Sequence, residues 1–379
     1  MRVEEWRSER VGDWSDADSH GLNGSADLVL AFGSRAHIGA PGLVDRLRAR
    51  HPNAVLAGCS TSGEISDVEV HDGSLSLVAV SFEHTTVRAC SEAVEQPQAS
   101  RMVGQRIADQ LRAPDLRHVL VLSEGLQVNG SELVAGITAG LPESVAVTGG
   151  LAGDGADFDT TLVLDDAGVR SGIVRAIGLY GDRLRVGYAS YGGWDPFGPE
   201  RLITRAEGNV LHELDHKPAL SVYKAYLGEY AGGLPATGLR FPLTIRDRRG
   251  GPTLVRTLLA VDEAAGTLTF AGDMPVGSHA RLMKANFDRL VDGASRAASE
   301  AQAQLARPSA SLSILISCVG RKLVLKQRVE EEVESAREVL GDGPVMTGFY
   351  SYGEVCPHAS GGVAVLHNQT MTITSLAEV

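Results

Sequence analysis

Short apolar runs alternate along the chain with small-residue loops and helical spacings. Leu28-Val29-Leu30-Ala31-Phe32 predicts a buried strand, and Gly33-Ser34-Arg35-Ala36 a loop after it. Leu43 and Leu47 share one helical face and predict a helix from Pro41 to Arg50. Val55 to Ala57 predicts a second strand, running into Gly58-Cys59-Ser60-Thr61-Ser62-Gly63-Glu64. Leu75 to Phe82 is β-prone, and Val87 to Ala89 either continues it or pairs with it. The pattern then restarts. Val103, Ile107 and Leu111 predict a helix, Val119 to Leu122 a strand, and Ser131 to Ala139 a helix with Ser131 as its cap. Val145 to Thr148 predicts a strand leading into Gly149-Gly150-Leu151-Ala152-Gly153-Asp154-Gly155, where the first unit had its glycine stretch. Thr160 to Leu164 and Gly172 to Leu179 read as a pair joined through Asp165 to Gly168.

Trp194 to Gly198 breaks this rhythm. Leu202 to Ala206 and Asn209 to Leu214 predict a hairpin about Glu207-Gly208, and Pro218 suits a first helical turn. Further strands are expected at Phe241 to Ile245 and Leu254 to Val261, separated by Asp247 to Gly251, and at Thr267 to Phe270. A long helical pattern runs from Leu282 to Ala306, followed by a strand at Leu312 to Ser317 and a helix at Val324 to Leu340. Val345-Met346-Thr347 enters a relative of the first glycine stretch, Gly348-Phe349-Tyr350-Ser351-Tyr352-Gly353-Glu354. Gly361 to Leu366 and Thr370 to Ser375 read as a closing strand pair. The expected fold is α/β or α+β: duplicated mixed-sheet units with crossover helices, in two domains. The expected division is a flexible arm at 1–24, one domain at 25–205 and another at 206–379.

Composition narrows the function classes. The 379 residues exceed one comfortable core and suit two domains. The net charge of -12 disfavours general binding to nucleic acid or anionic membranes. No run reaches the ~18 apolar residues of a membrane span, and the charged N-terminus has no signal-peptide pattern, so a cytoplasmic location is expected. Cys59, Cys90, Cys318 and Cys356 lie far apart without metal spacing and are expected as thiols.

Candidate chemistry gathers at the glycine stretches. Ser60, Thr61 and successive amides after a strand can hold a carboxylate, and Glu64 or Glu354 an amine. Hydroxyls satisfying a local turn account for the same residues. Arg35, after a strand, suits a carboxylate or phosphate, or is a surface cation. Tyr350 and Tyr352 share one face of an extended segment and could wall a pocket. Cys59 becomes a nucleophile only beside a base, and the stretch lacks the GxSxG elbow because Ser62 stands where the second glycine belongs. GxGxxG and GxxxxGKS are absent. His212 and His216, four apart, read as strand and turn residues rather than a zinc pair. His358, after Cys356-Pro357, could ligate a noncovalent haem, or belong to a polar surface loop.

Gly58 to Glu64, Leu214-Asp215-His216-Lys217-Pro218-Ala219 with Tyr226-Leu227-Gly228, and Gly348 to Glu354, in this order and spacing, resemble FIST-domain proteins. The resemblance spans nearly everything from Leu28 to Glu378 and includes both the N- and C-terminal modules. It implies a small-ligand sensory protein, with amino acids and related metabolites as ligands. It also implies output through a separate signalling partner such as a kinase or cyclic-dinucleotide enzyme, since little chain is left for an output domain. Some standalone members bind haem and sense nitric oxide. The expectation is a non-catalytic ligand sensor binding through Arg35, Cys59, Ser60, Thr61, Glu64, Tyr350, Tyr352, Glu354 and His358, with no metal and with oligomerisation open. A haem sensor and a cysteine or serine hydrolase are the alternatives.

Overall fold

The computed structural model describes residues 1–12, 24–246, 253–305, 309–358 and 361–379. The strands of the first unit are β1 (Arg2–Ser8), β2 (Leu28–Gly33), β3 (Val55–Ser60), β4 (Glu64–Ser66), β5 (Glu69–His71) and β6 (Leu75–Ser81). Those of the second are β7 (Thr86–Ala93), β8 (Leu116–Ser123), β9 (Ala146–Leu151), β10 (Val163–Asp165), β11 (Gly168–Arg170) and β12 (Ile173–Tyr180). Next come β13 (Leu184–Tyr191) and an inserted module. The module holds β14 (Asp195–Glu207), β15 (Val210–Leu214), β16 (Lys217–Pro218), β17 (Leu243–Arg246), β18 (Leu254–Arg256), β19 (Leu258–Asp262), β20 (Thr267–Phe270) and β21 (His279–Lys284). The third unit closes with β22 (Leu312–Cys318), β23 (Val345–Ser351), β24 (Gly353–Pro357), β25 (Ala364–His367) and β26 (Met371–Glu378).

The helices are α1 (Arg35–Ile38), α2 (Leu43–Arg50), α3 (Ser100–Leu111), α4 (Gly130–Gly140), α5 (Ala219–Leu227), α6 (Phe287–Leu305), α7 (Val319–Leu325) and α8 (Val329–Leu340). Each unit contains a parallel strand pair, β2/β3, β8/β9 or β22/β23, joined through helix. Parallel neighbours need such a crossover because a tight turn cannot bring the chain back to the same end. A long strand, β6, β12 or β26, then returns antiparallel to the first of the pair. The expected mixed α/β repeat is present, and the sheets count it three times. Their orders, β1-β6-β2-β3-β10-β11, β7-β12-β8-β9-β24-β25 and β13-β26-β22-β23-β4-β5, are position-for-position equivalent.

Each unit lends its short hairpin to a neighbour. The β4–β5 hairpin of the first unit joins the third sheet, β10–β11 of the second joins the first, and β24–β25 of the third joins the second. The three sheets thereby form a closed ring around a shared apolar centre that includes Phe32, Leu122, Ile316, Cys59 and Phe349. Gly58, Gly149 and Gly348 occupy equivalent places beside the parallel partner strand. A Cβ there would overlap the carbonyl oxygen of Ala31, Val121 or Leu315, so close strand approach requires glycine.

Several elements depart from expectation through pairings distant in sequence. Arg2–Ser8 of the expected arm pairs along β6, while residues 13–23 of that arm lie outside the described residues. The segment 247–251 also lies outside them, as does the end of the long helical pattern at Ala306. That pattern divides into β21 and α6, because His279–Lys284 completes the sheet of the inserted module. Asn129, not Ser131, caps α4, accepting from the Glu132 amide at 3.1 Å. The turn at 165–168 joins β10 to β11, and the closing strands β25 and β26 pair with β24 and β22 instead of each other.

The inserted module packs its own core around Tyr223, Leu268 and Phe270. It is tied to the ring by Arg256, which donates to the Leu366 carbonyl at 3.1 Å, and by Asn129, which donates to Asp273 at 3.1 Å.

Candidate functional site

Main-chain hydrogen bonds knit the three glycine stretches together at one end of the ring. The Gly153 amide donates to Ser60, that of Ser62 to Tyr350, and that of Tyr352 to Leu151, at 2.9, 2.8 and 3.1 Å. These donors lie four residues, and the acceptors two residues, beyond Gly149, Gly58 and Gly348. The turns that seemed local in sequence are therefore a closed inter-unit lattice.

A polar cleft of about 270 Å³ opens beside this lattice, lined by Ser34, Arg35, Thr61, Ser62, Glu64, Asp72, Asp154 and Asp157. Ser34 caps the short helix α1, which starts at Arg35 where a loop was expected. The half-exposed Arg35 lies 2.8 Å from Asp159 and 3.6 Å from Asp154. Glu64 accepts from Thr61, and its other oxygen accepts from the Ser74 amide at 2.9 Å and hydroxyl at 2.7 Å. Burial raises the Glu64 carboxyl above its ordinary range, against the opposing pull of these hydrogen bonds and the nearby Lys322 charge. The Lys322 ammonium donates to the Ser62 carbonyl at 2.8 Å, pairs with Asp72, and lies 5.4 Å from the centre of the Tyr350 ring.

Asp154 closes the far side. Burial works to raise its carboxyl, but Tyr352 and the amides of Phe158, Asp159 and Thr160 bind it and hold it below its usual range. Its carboxylate thus fastens the 154–160 loop onto the ring.

The remaining sequence candidates lie apart from the cleft's open space. Cys59 is wholly buried in the central apolar core, and burial pushes its thiol up, away from a reactive thiolate. The Ser60 hydroxyl accepts from the Leu162 amide at 2.9 Å. Tyr350 donates to Glu332 at 2.6 Å, within a buried network where Glu332 also pairs with Arg321 at 2.7 Å. Glu354 is fully buried, accepting from Ser351 at 2.8 Å and from the Thr370 hydroxyl and amide at 2.9 and 3.1 Å. Burial pushes its carboxyl up to about 8. His358 is exposed beside His367, with ring centroids 6.1 Å apart.

Asp72 and Asp154 line the cleft, and Lys322 abuts it, without having been singled out from sequence. Asp154 lay within the second glycine stretch, which was a usable signal. Lys322 sits on a helix 260 residues from Ser62 in sequence, where nothing local marks it.

A second cavity of about 660 Å³ lies between the ring and the inserted module. A haem needs an axial donor and partners for two propionates. Among the described residues no histidine or charged side chain lines this cavity, and His358 lines neither it nor the cleft, so these residues do not fit that group. No cluster of three or more His, Cys, Asp or Glu suited to a metal occurs among the described residues. No described helix is long and apolar enough to cross a membrane.

A 25% identical match over 366 residues relates the chain to an uncharacterized protein of Mycobacterium tuberculosis, covering 92% of this chain and 91% of that one. An uncharacterized protein of Methanocaldococcus jannaschii is 26% identical over 326 residues, covering 76% of this chain and 59% of that one. A crystal structure of cyanuric acid hydrolase from A. caulinodans aligns over 100% of this chain and 99% of that one, at 10% identity and a TM-score of 0.34. That similarity is too low to bear on function. The FIST N domain model matches residues 27–217 and the FIST C domain model residues 219–357. Taken in tandem these matches span most of the chain, which belongs to the FIST family of small-molecule sensory modules that feed downstream signalling proteins.

Proposed function

We propose that the chain senses a small zwitterionic metabolite, of the amino-acid class, in the polar cleft beside the glycine lattice. The carrying observation is that the cationic Arg35 and the buried Glu64 line one small cavity. Arg35 would exchange part of its pairing with Asp154 and Asp159 for the ligand carboxylate. An amine at Glu64 would compensate a carboxylate that is costly to bury unpaired. Thr61 and Ser62 would orient the ligand between them.

The cleft draws on two units of the ring and abuts Lys322 of the third. A ligand preferring one relative placement of these units would shift their balance, the requirement for a sensor. Output would pass to a separate cytoplasmic protein, such as a kinase or a cyclic-dinucleotide enzyme. A cysteine hydrolase is disfavoured by the buried, apolar surroundings of Cys59.

Isothermal titration of the full chain against individual amino acids and related amines tests the reading. The expected result is saturable binding by at least one compound, weakened at least tenfold by Arg35→Ala and by Glu64→Gln. Binding unchanged in both variants, or no binding across the series, would overturn it.

A further inference from the structure

The cavity between the ring and the inserted module has chemistry opposite to that of the cleft. Its outer part, about 660 Å³, is walled by Leu126, Ala156, Phe158, Leu239, Leu259 and Leu323, among others. That volume lies within the range of pockets that enclose small organic ligands, roughly 300–1,000 Å³. A narrower inner part of about 140 Å³ shares Leu126, Phe158, Leu239 and Leu259 with it. Among the described residues, no Asp, Glu, Lys, Arg or His lines either part.

The inner part contains an unexplained polar group. Thr257 is only 5% exposed, lines this part, and its hydroxyl has no hydrogen-bond partner among the described residues. A buried hydroxyl left unsatisfied carries a desolvation cost that a bound acceptor or donor would remove. Tyr352 also lines the inner part, but its hydroxyl is engaged by Asp154. Asn209 lines it as well, and its amide nitrogen donates to the Phe270 carbonyl at 2.7 Å. Thr257 is therefore the buried, unpartnered side-chain group among the described residues of this lining, and the one placed to orient a ligand.

The outer wall is also prepared. Phe158 holds a left-handed backbone conformation, φ 52°, unusual for a bulky residue. Its amide is fixed by Asp154 at 3.0 Å, and its ring stacks on Tyr352 with centroids 4.6 Å apart. The ring nevertheless remains exposed at the cavity. A flat apolar molecule could lie against this wall without displacing a charged group.

We infer that this cavity is a binding site for an uncharged, aromatic small molecule carrying one hydrogen-bonding group, which meets the Thr257 hydroxyl. The site is distinct from the polar cleft, and the 154–160 loop walls both. Asp154, Gly155 and Asp157 face the cleft, while Ala156 and Phe158 face the apolar cavity. Zwitterions would be disfavoured in the second site because its described walls offer no countercharge for either end.

N-phenyl-1-naphthylamine, an uncharged two-ring-system fluorophore with one N–H, is a suitable probe. Its fluorescence is titrated on the full chain, with circular dichroism and a thermal melt confirming that each variant is folded. The wild type is expected to bind one equivalent saturably. Ala236→Trp, which places an indole in the cavity, should weaken binding at least tenfold, and Leu323→Trp supplies a second obstruction if the first variant does not fold. Thr257→Val should weaken binding roughly fivefold, as expected for one hydrogen bond, while leaving the melt unchanged or higher. Non-saturable fluorescence, or unchanged affinity in the folded tryptophan variant, would overturn the proposal. So would native mass spectrometry showing a dimer that the obstruction dissociates, since the occupant would then be a second copy.

Discussion

The first and third units keep a buried acid where the second keeps a valine. Glu64 and Glu354 pair with Phe349 and Gly150, each one residue beyond the equivalent glycine, and Val163 stands at that register opposite Cys59. Around Glu64 stand Thr61 and Ser74, and around Glu354 stand Ser351 and Thr370. The corresponding residues of the second unit, Ala152 and Ile173, join Val163 in one apolar cluster. All three members change character together, because a buried carboxyl is tolerated only with its hydrogen-bond donors, and those donors are costly without it. The comparison also separates the two acids. Both acids have each oxygen hydrogen-bonded within the fold, and of the two Glu64 lines the cleft. Glu354 thus provides the structural counterpart against which a ligand role for Glu64 can be measured.

The largest effect is expected from Val163→Glu, which inserts an acid among apolar neighbours. It should lower stability by more than about 3 kcal/mol in urea denaturation. Adding Ala152→Ser and Ile173→Thr should recover part of that loss; no recovery would show that the three niches are not interchangeable. In the opposite direction, Glu354→Ala should cost about 2–4 kcal/mol by leaving a cavity and unpaired hydroxyls. The apolar triple substitution Ser351→Ala, Glu354→Val and Thr370→Ile should be less damaging than that single change, and a greater loss would contradict the shared logic.

The third measurement uses pH. Glu354 has its folded pKa raised from 4.5 to about 8, so the unfolded chain releases this proton first as pH rises. Its contribution to stability is therefore greatest below about 4.5 and declines toward 8. Glu354→Gln should fall less in stability across that interval than the wild type; parallel curves would refute the assignment. The smallest effect is expected from Lys322→Met. Its ion pair with the exposed Asp72 should contribute no more than about 1 kcal/mol. Loss of the nearby cation should nevertheless raise the Glu64 carboxyl further, visible as an upward shift in its carbon-detected NMR titration.

The parallel-pair cores were legible because Leu28 to Phe32, Val119 to Leu122 and Ile314 to Ile316 are continuous apolar segments suited to strands covered on both faces. The related glycine stretches were also visible, and they do converge. Their shared polar spacing could not tell which acid borders the cleft. Thr61 to Glu64 and Ser351 to Glu354 have the same separation, yet only Glu64 borders the cleft. Arg35 and Glu64 were found in sequence because each follows a predicted strand. Lys322 was not, because its position depends on α7 packing across units.

Apolar periodicity in the sequence placed most strands and helices, though not α1 or the division between β21 and α6. The sequence also determined where the backbone passes closely, through Gly58, Gly149 and Gly348. The exchange of hairpins around a ring, and the match of Val163 to Glu64 and Glu354, became visible in the assembled sheets alone. The physical reason is that local patterns bias each segment's conformation, whereas strand partners are chosen by hydrogen-bond register and joint burial among segments far apart in the chain.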